Sequence, residues 1–355
     1  MSSERHERVN NVMQLKVPDR VPWAAWAHFP AIPWLKYYSW ELANRSGEHQ
    51  AKAHLAFLRA LDYKMDLLKV TPFFRFMAYH WGSRFRFTDN TGLDETTDVI
   101  VKQPEDWDKL WVLDPRKELR EYVRCIEILS RDIPWMPFIY SLASPFTQAL
   151  HGISKPETVY QHIKDHPDAL KHGLETIKDT CIDFAKEVVA QGGDGIFYVI
   201  GGRGSYWSKM DKEKLVEYTL NYDKQILTSF NAPIKMLHIC NTLDENPQKN
   251  GGLMLDGWFK NYPVNCINWW DHHFVSAAEG KKIYGDRFCI AAGLDHKKTL
   301  ASGKMEEIIR EAKDSIQAAG KQGGFILAGG CTLSPKVSLD TYNAVGKAIE
   351  RYGNL

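Results

Sequence analysis

The sequence predicts a (β/α)8 barrel of the TIM type, and three observations carry that prediction. Eight short apolar runs recur along the chain, each followed by a longer segment with helical periodicity. Alternation of this kind builds a parallel sheet, and a count of eight closes it on itself. A length of 355 residues suits one such barrel, with no linker, low-complexity segment or repeat beyond the barrel unit. The expectation is a single domain over residues 1–355, with an N-terminal helix and an inserted excursion near 73–133.

The elements follow in order. After the N-terminal helix, residues 21–26 read as the first strand. A helix around 48–61 leads to the second, 66–70. The region 73–133 is too long for a plain connection. It opens with the aromatic run Phe73, Phe74, Phe76, Tyr79, His80 and Trp81, which fits core packing or a docking face for a large flat ligand or a partner. Residues 84–87 and 99–101 look like an added hairpin, and Pro104-Glu105-Asp106 like a helix start. Residues 137–141 form the third strand. Leu170, Leu174, Ile177, Cys181, Phe184 and Val188 then recur at helical spacing. The fourth strand, 195–200, is closed by Gly201-Gly202, and a helix over 211–228 opens at Asp211 as N-cap. Strands at 234–238, 264–269, 288–293 and 325–328 complete the eight. Helices fall near 252–260, 275–284, 303–320 and 338–351.

Composition removes several function classes. Lys+Arg 45 against Asp+Glu 44 leaves no basic footprint for nucleic acid. No apolar stretch approaches the ~20 residues that span a bilayer. The polar start, Met1-Ser2-Ser3-Glu4-Arg5, is unlike a secretory signal. The six cysteines are scattered without disulfide spacing, so a reduced cytoplasmic protein is expected. Many of the 12 tryptophans fall in the first 111 residues, where they fill a core or line a pocket for a large flat ligand.

The chemistry-bearing residues sit at strand exits, where barrels of this class place function. His238-Ile239-Cys240 closes the fifth strand, and Cys331, in Gly329-Gly330-Cys331, follows the eighth. One imidazole and two thiols make three zinc ligands, and the fourth position left open marks a catalytic site. The bland reading of the two thiols is burial, which is common for cysteine. Strand ends three apart are separated by roughly 12 Å around a small barrel, against a Zn–S bond of about 2.3 Å. Cys331 must therefore ride on a loop that bends inward, for which Gly329-Gly330 gives freedom.

Other residues gather at the same mouth. Asp271 reads as a fourth ligand, a proton handler or a loop cap; His272 and His273 read as a surface pair or as ligands. Trp270 and Asp295 follow the sixth and seventh strands as substrate-binding candidates. Arg203, in Gly201-Gly202-Arg203-Gly204, suits a sulfonate, carboxylate or phosphate, or lies on a plain surface loop; the spacing fits no dinucleotide or P-loop fingerprint. Trp26 and His28 line the exit of the first strand or belong to the core. Cys125, Cys181, Cys266 and Cys289 read as core.

The His238-x-Cys240 pair, the Gly330-Cys331 step and Arg20-Val21-Pro22-Trp23 near the start resemble the uroporphyrinogen decarboxylase superfamily, over essentially the whole chain. Within it, the chain is similar to the zinc methyltransferase branch, the methylcobamide:coenzyme M methyltransferases. That resemblance implies a (β/α)8 barrel. It also implies methyl exchange between a corrinoid (a methylcobamide carried on a corrinoid protein) and a coenzyme M-like thiol or tetrahydrofolate. His238, Cys240 and Cys331 are the zinc ligands it implies. Tetrahydrofolate would require a carboxylate near its ring nitrogen, with Asp271, Asp194 and Asp295 nearest by strand position. The decarboxylase branch carries paired arginines in an Arg-Gln-Ala-Gly-Arg motif, but residues 26–34 here contain no arginine. A cofactor-free decarboxylase, or a barrel that binds a corrinoid or tetrapyrrole without turnover, are the alternatives.

Overall fold

Eight parallel strands pair edge to edge in the computed structural model, which describes residues 3–27, 40–88, 93–201, 206–240, 253–334 and 337–355. In chain order they are β1 (Ala24–Ala25), β2 (Leu67–Val70), β5 (Phe138–Ala143), β6 (Gly195–Gly201), β7 (Ile234–Cys240), β8 (Cys266–Trp269), β9 (Cys289–Leu294) and β10 (Phe325–Gly329). Their order in the sheet is their order in the chain. Each expected barrel run overlaps one of them. The seam between β10 and β1 is stitched by Leu327 N–H to Pro22 O at 2.9 Å and by the bridges Trp23–Leu327 and Ala27–Leu333. The barrel is thus nearly closed, as expected for a (β/α)8 fold.

The strands are continuous apolar runs because both faces are buried. Alternate residues point inward, giving an interior cluster that includes Ala24, Trp26, Leu67, Ile139, Phe197, Val199, Met236, Cys266, Cys289, Ala291 and Ala328. The other set packs outward against the helices. Val9, Val12 and Met13 of the helix Glu4–Met13 join the interior cluster and plug its lower end. That plug is pinned by Asp66, a fully buried carboxylate one residue before β2. It accepts from Arg8 Nη1 at 2.9 Å, from Arg20 Nη1 and Nη2 at 2.8 Å each, and from Trp23 N–H at 3.1 Å.

Two expectations need correction. The added hairpin exists, but Arg84–Thr88 (β3) pairs antiparallel with Leu93–Asp98 (β4), not with residues 99–101. Its second strand is polar and largely exposed, so apolar content pointed past it. Val99 and Val101 are buried instead, Val101 N–H bonding Ile153 O at 2.9 Å. Asp194 lies at the entrance of β6, not its exit. Its carboxylate accepts from Phe138 N–H at 2.9 Å and faces His6 Nε2 at 3.3 Å, so it belongs to the closed end of the barrel.

The helices fall where periodicity placed them except near 252–260, where Gly257 at φ 69° breaks the run and a 3-10 turn, Trp258–Asn261, follows. Asp211 caps its helix by accepting from Lys214 N–H at 2.8 Å. Leu170 to Val188 form the buried face of Pro167–Ala190. The aromatic run packs beneath the hairpin: Phe73 meets Phe85 and Phe87, and Phe76 meets Tyr122 and Phe184. No helix among the described residues is long and apolar enough to cross a membrane.

Candidate metal centre

His238 and Cys240 stand two residues apart on β7, so strand alternation puts both on the inward face. Cys331 arrives from the opposite side of the mouth. Its loop crosses toward β8 because Gly330 lies against that strand's end: a Cβ there would stand 2.6 Å from Trp270 Cα and 2.9 Å from Trp269 O. The requirement at Gly330 is close approach rather than an unusual backbone angle. Gly201 does similar work at the end of β6, with φ +85° and space for a Cβ only 2.5 Å from Cys240 O. The His238, Cys240 and Cys331 ligand atoms consequently lie within 4.8 Å of one another.

The imidazole is presented in one tautomer. Asn268, fully buried on β8 in register with His238, donates its amide to Ala291 O at 2.6 Å and Gly329 O at 3.0 Å. Two carbonyls on that side require the NH2 group there, which turns Oδ1 toward His238 Nδ1 at 2.6 Å. Nδ1 must then carry the proton, leaving the Nε2 lone pair for the thiols. Nε2 stands 3.5 Å from Cys331 Sγ. Zn–S and Zn–N bonds of about 2.3 and 2.0 Å at a tetrahedral angle would place these atoms about 3.5 Å apart. Donor type, tautomer and spacing all fit zinc. The hydrogen bond from Cys240 holds the Cys331 thiol well below its ordinary range; His238 adds to that, and burial opposes it.

Replacing Asn268 by alanine frees the ring and orphans two carbonyls. Zinc affinity should fall roughly 10–100-fold, the range for such supporting partners, measured by competition with a chromophoric chelator. An unchanged affinity would mean that something else sets the tautomer.

Around the three ligands lies a shell that sequence reasoning missed in part. Phe197 stacks on His238 with centroids 4.9 Å apart and 27° between planes. Lys69 Nζ sits 4.6 Å from the centre of the same ring. Burial pushes the Lys69 ammonium down to about 8, against the pull of the Cys331 and Cys240 thiols. Lys69 and Asn268 were legible as polar residues at inward positions of apolar strands, in step with Leu67 and Cys266. His296 is also buried, with both ring nitrogens lacking a hydrogen-bond partner and burial lowering its pKa.

The remaining sequence-predicted residues divide. Trp26 is fully buried against Phe197, with ring centroids 5.2 Å apart. Trp270 stacks on His273 at 4.5 Å and meets His296 edge-on at 5.1 Å. Asp271 faces His272 Nδ1 at 3.2 Å, and Glu311 faces His272 Nε2 at 3.0 Å. Burial opposes the charge, yet the two carboxylates push His272 up to about 10. Both nitrogens of His272 are therefore committed to carboxylates, and the metal cluster includes neither His272 nor Asp271. Asp295 accepts from Lys297 N–H at 2.8 Å and Lys298 N–H at 3.2 Å, the geometry of a loop cap. His28 and Arg203 lie outside the described residues. Cys125, Cys181, Cys266 and Cys289 are fully buried.

Comparison with known proteins gives four likenesses. A profile of the uroporphyrinogen decarboxylase (URO-D) family matches residues 4–352. A methylcobamide:CoM methyltransferase, MtaA, from Methanosarcina barkeri (strain Fusaro / DSM 804) is 26% identical over 239 residues, 67% of this chain and 65% of that protein. The alignment thus spans just under two thirds of the relative's length. Among solved structures, a methyltransferase from Methanosarcina mazei superposes with TM-score 0.79 at 17% identity, covering 99% of both chains. A B12-independent methionine synthase from Shewanella sp. W3-18-1 follows at TM-score 0.62 and 12% identity, over 94% of this chain and 98% of that one. These two likenesses concern the fold.

Proposed function

The chain belongs to the uroporphyrinogen decarboxylase family, and from that premise we propose that it is a zinc-dependent methyltransferase. It moves a methyl group between a methylcobamide, presented by a corrinoid protein, and a small acceptor: a coenzyme M-like thiol or tetrahydrofolate. The observation that carries this reading is the convergence of His238, Cys240 and Cys331, ligand atoms within 4.8 Å, at the mouth of the barrel. The relative's name, a methylcobamide:CoM methyltransferase, points the same way. A decarboxylase has no use for paired thiols beside an oriented imidazole.

Bound there, zinc would supply a Lewis-acid position that lowers the acceptor's pKa and keeps it a nucleophile. The chain's own part is orientation. Asn268 holds the imidazole, Gly330 lets Cys331 cross the mouth, and the buried Trp26 and Phe197 keep water from the inner side. The acceptor atom attacks the methyl carbon in line; the new bond to carbon forms as the carbon–cobalt bond breaks, and its electron pair stays with the corrinoid. A thiol acceptor releases its proton on binding. With tetrahydrofolate, we assign proton handling to Asp271, through His272 and Glu311, and substrate contacts to Trp26, His28, Arg203, Trp270 and Asp295. A single-domain protein in the reducing cytoplasm, where the thiols stay unoxidised, completes the reading.

Anaerobically purified protein should hold about one zinc per chain. With methylcobalamin and a thiol it should produce the reduced corrinoid, followed by its absorbance. Protein that keeps zinc yet demethylates nothing with any thiol or with tetrahydrofolate would overturn the assignment.

A further inference from the structure

We propose that Lys69 is the counter-cation of the metal centre: its ammonium balances the one negative charge that arrives when the atom taking the open position is an anion. This rests on the methyltransferase reading and adds to it a positioning residue, one that acts by charge without touching the reacting atoms.

Lys69 lies on β2, inward in step with Leu67, and is 2% exposed. It interrupts an apolar interior that includes Leu67, Ile139, Phe197 and Met236. An ammonium has three donors. Here one reaches Thr332 Oγ1 at 3.2 Å, and no carboxylate pairs with Lys69 among the described residues. Burying a cation without an ionic partner is costly, so its presence calls for a compensating charge in the working state. The acids at the mouth are engaged elsewhere. Asp271 and Glu311 hold His272 between them, and Asp295 caps its own loop.

What the ammonium does face is the ligand set. Burial lowers the Lys69 pKa, and the charges that oppose this are the Cys331 and Cys240 thiols. Thr332, the partner of Lys69, follows Cys331 directly in the chain. Phe197 has Lys69 Nζ 4.6 Å from its ring centre and the His238 ring stacked at 4.9 Å. Two thiolates neutralise a zinc dication, so the loaded centre together with Lys69 holds one uncompensated positive charge. His296 adds none, because burial lowers its pKa and keeps it neutral. A neutral atom in the open position leaves the Lys69 charge bare, whereas an anion cancels it. The cation therefore favours an acceptor that has given up its proton.

The test is calorimetric binding at pH 7 to zinc-loaded wild type, Lys69→Met and Lys69→Arg. Two buffers of different ionisation enthalpy let proton release be read beside affinity. The probes are 2-mercaptoethanol, which must ionise to bind as a thiolate, and imidazole, which binds as a neutral donor. Wild type should release about one proton per thiol bound, since a free thiol is protonated at this pH. Lys69→Met should bind 2-mercaptoethanol at least ~10-fold more weakly, the effect of one charge across a partly buried site, with zinc per chain unchanged. Lys69→Arg keeps the charge and should recover most of the loss. Imidazole should bind Lys69→Met at least as tightly as wild type. An unchanged thiol affinity in Lys69→Met overturns the proposal. So does an equal loss for thiol and imidazole, which would make Lys69 a packing element of the mouth, and so does loss of zinc, which would tie it to metal retention. Wild type that takes no zinc refutes the methyltransferase reading and the counter-cation together. Wild type that takes zinc and binds both probes without regard to Lys69 refutes the counter-cation alone.

Discussion

Cys331→Ala is expected to empty the metal centre while leaving the barrel folded. Structural zinc in small peptides binds with about 10–16 kcal/mol; shared among four ligands, that is roughly 3 kcal/mol each, or about two orders of magnitude in affinity. Zinc per chain after dialysis against a competing chelator should fall from about one toward zero, and methyl transfer from methylcobalamin should fall with it. Cys240→Ala should behave alike. Because Cys240 and Cys331 are only half-buried, their loss opens no large cavity, so zinc-free wild type and variant should unfold at similar urea midpoints. Cys289→Ala makes the opposite case: that thiol is fully buried in the barrel interior, and its removal should cost stability rather than zinc. If Cys331→Ala retained a full zinc complement, the convergence of three ligands would be a packing accident.

Asp66→Ala should be the most destabilising single substitution among those considered. The carboxylate binds Arg8, Arg20 and the Trp23 amide, joining the N-terminal plug, the lead-in to β1 and the start of β2. Removing it strands the half-buried Arg20 guanidinium and a buried N–H, while buried Arg8 loses one of its two carboxylates and keeps Asp19. Breaking a buried ion pair from one side costs about 3–5 kcal/mol, and urea unfolding should show a drop of that order. Asp66→Asn keeps the shape and part of the bonding and should cost less. Folded Asp66→Ala should still hold zinc, because Asp66 sits at the end of the barrel opposite the mouth. A loss below about 1 kcal/mol would mean that the arginines find other partners.

The barrel strands were legible because burial on both faces makes them continuous apolar runs, and the eightfold alternation with helices set the class. The grouping of the three candidate ligands was legible because His238, Cys240 and Cys331 fall at strand exits, and the structure brings their ligand atoms within 4.8 Å of one another. Strand β4 was not, since an exposed ribbon needs no apolar pattern. Asp194 was misplaced even though the fourth strand was read from 195 onward: a residue just before a parallel barrel strand stands at its entrance, away from the mouth. Lys69 and Asn268 were passed over although each interrupts an inward apolar series. What such a residue bonds to depends on neighbouring strands, and no single-strand pattern carries that. The same holds for Gly330, whose need arises from the backbone of β8, some sixty residues earlier in the chain.

The segment that carries Cys331 is also the segment that closes the barrel. Two residues on, Leu333 bridges to Ala27, so the seam between the last strand and the first runs through the metal loop. Local opening of that seam would carry one thiol away from the other two ligands and dismantle the centre in a single cooperative step. Conversely, a metal that binds only the assembled ligand set adds its binding free energy to the closed state by mass action. On the proposed metal reading the centre would act as a clasp on the barrel: the strands joined last in sequence would be held by the bound metal, and local stability at the mouth would rise and fall with metal supply.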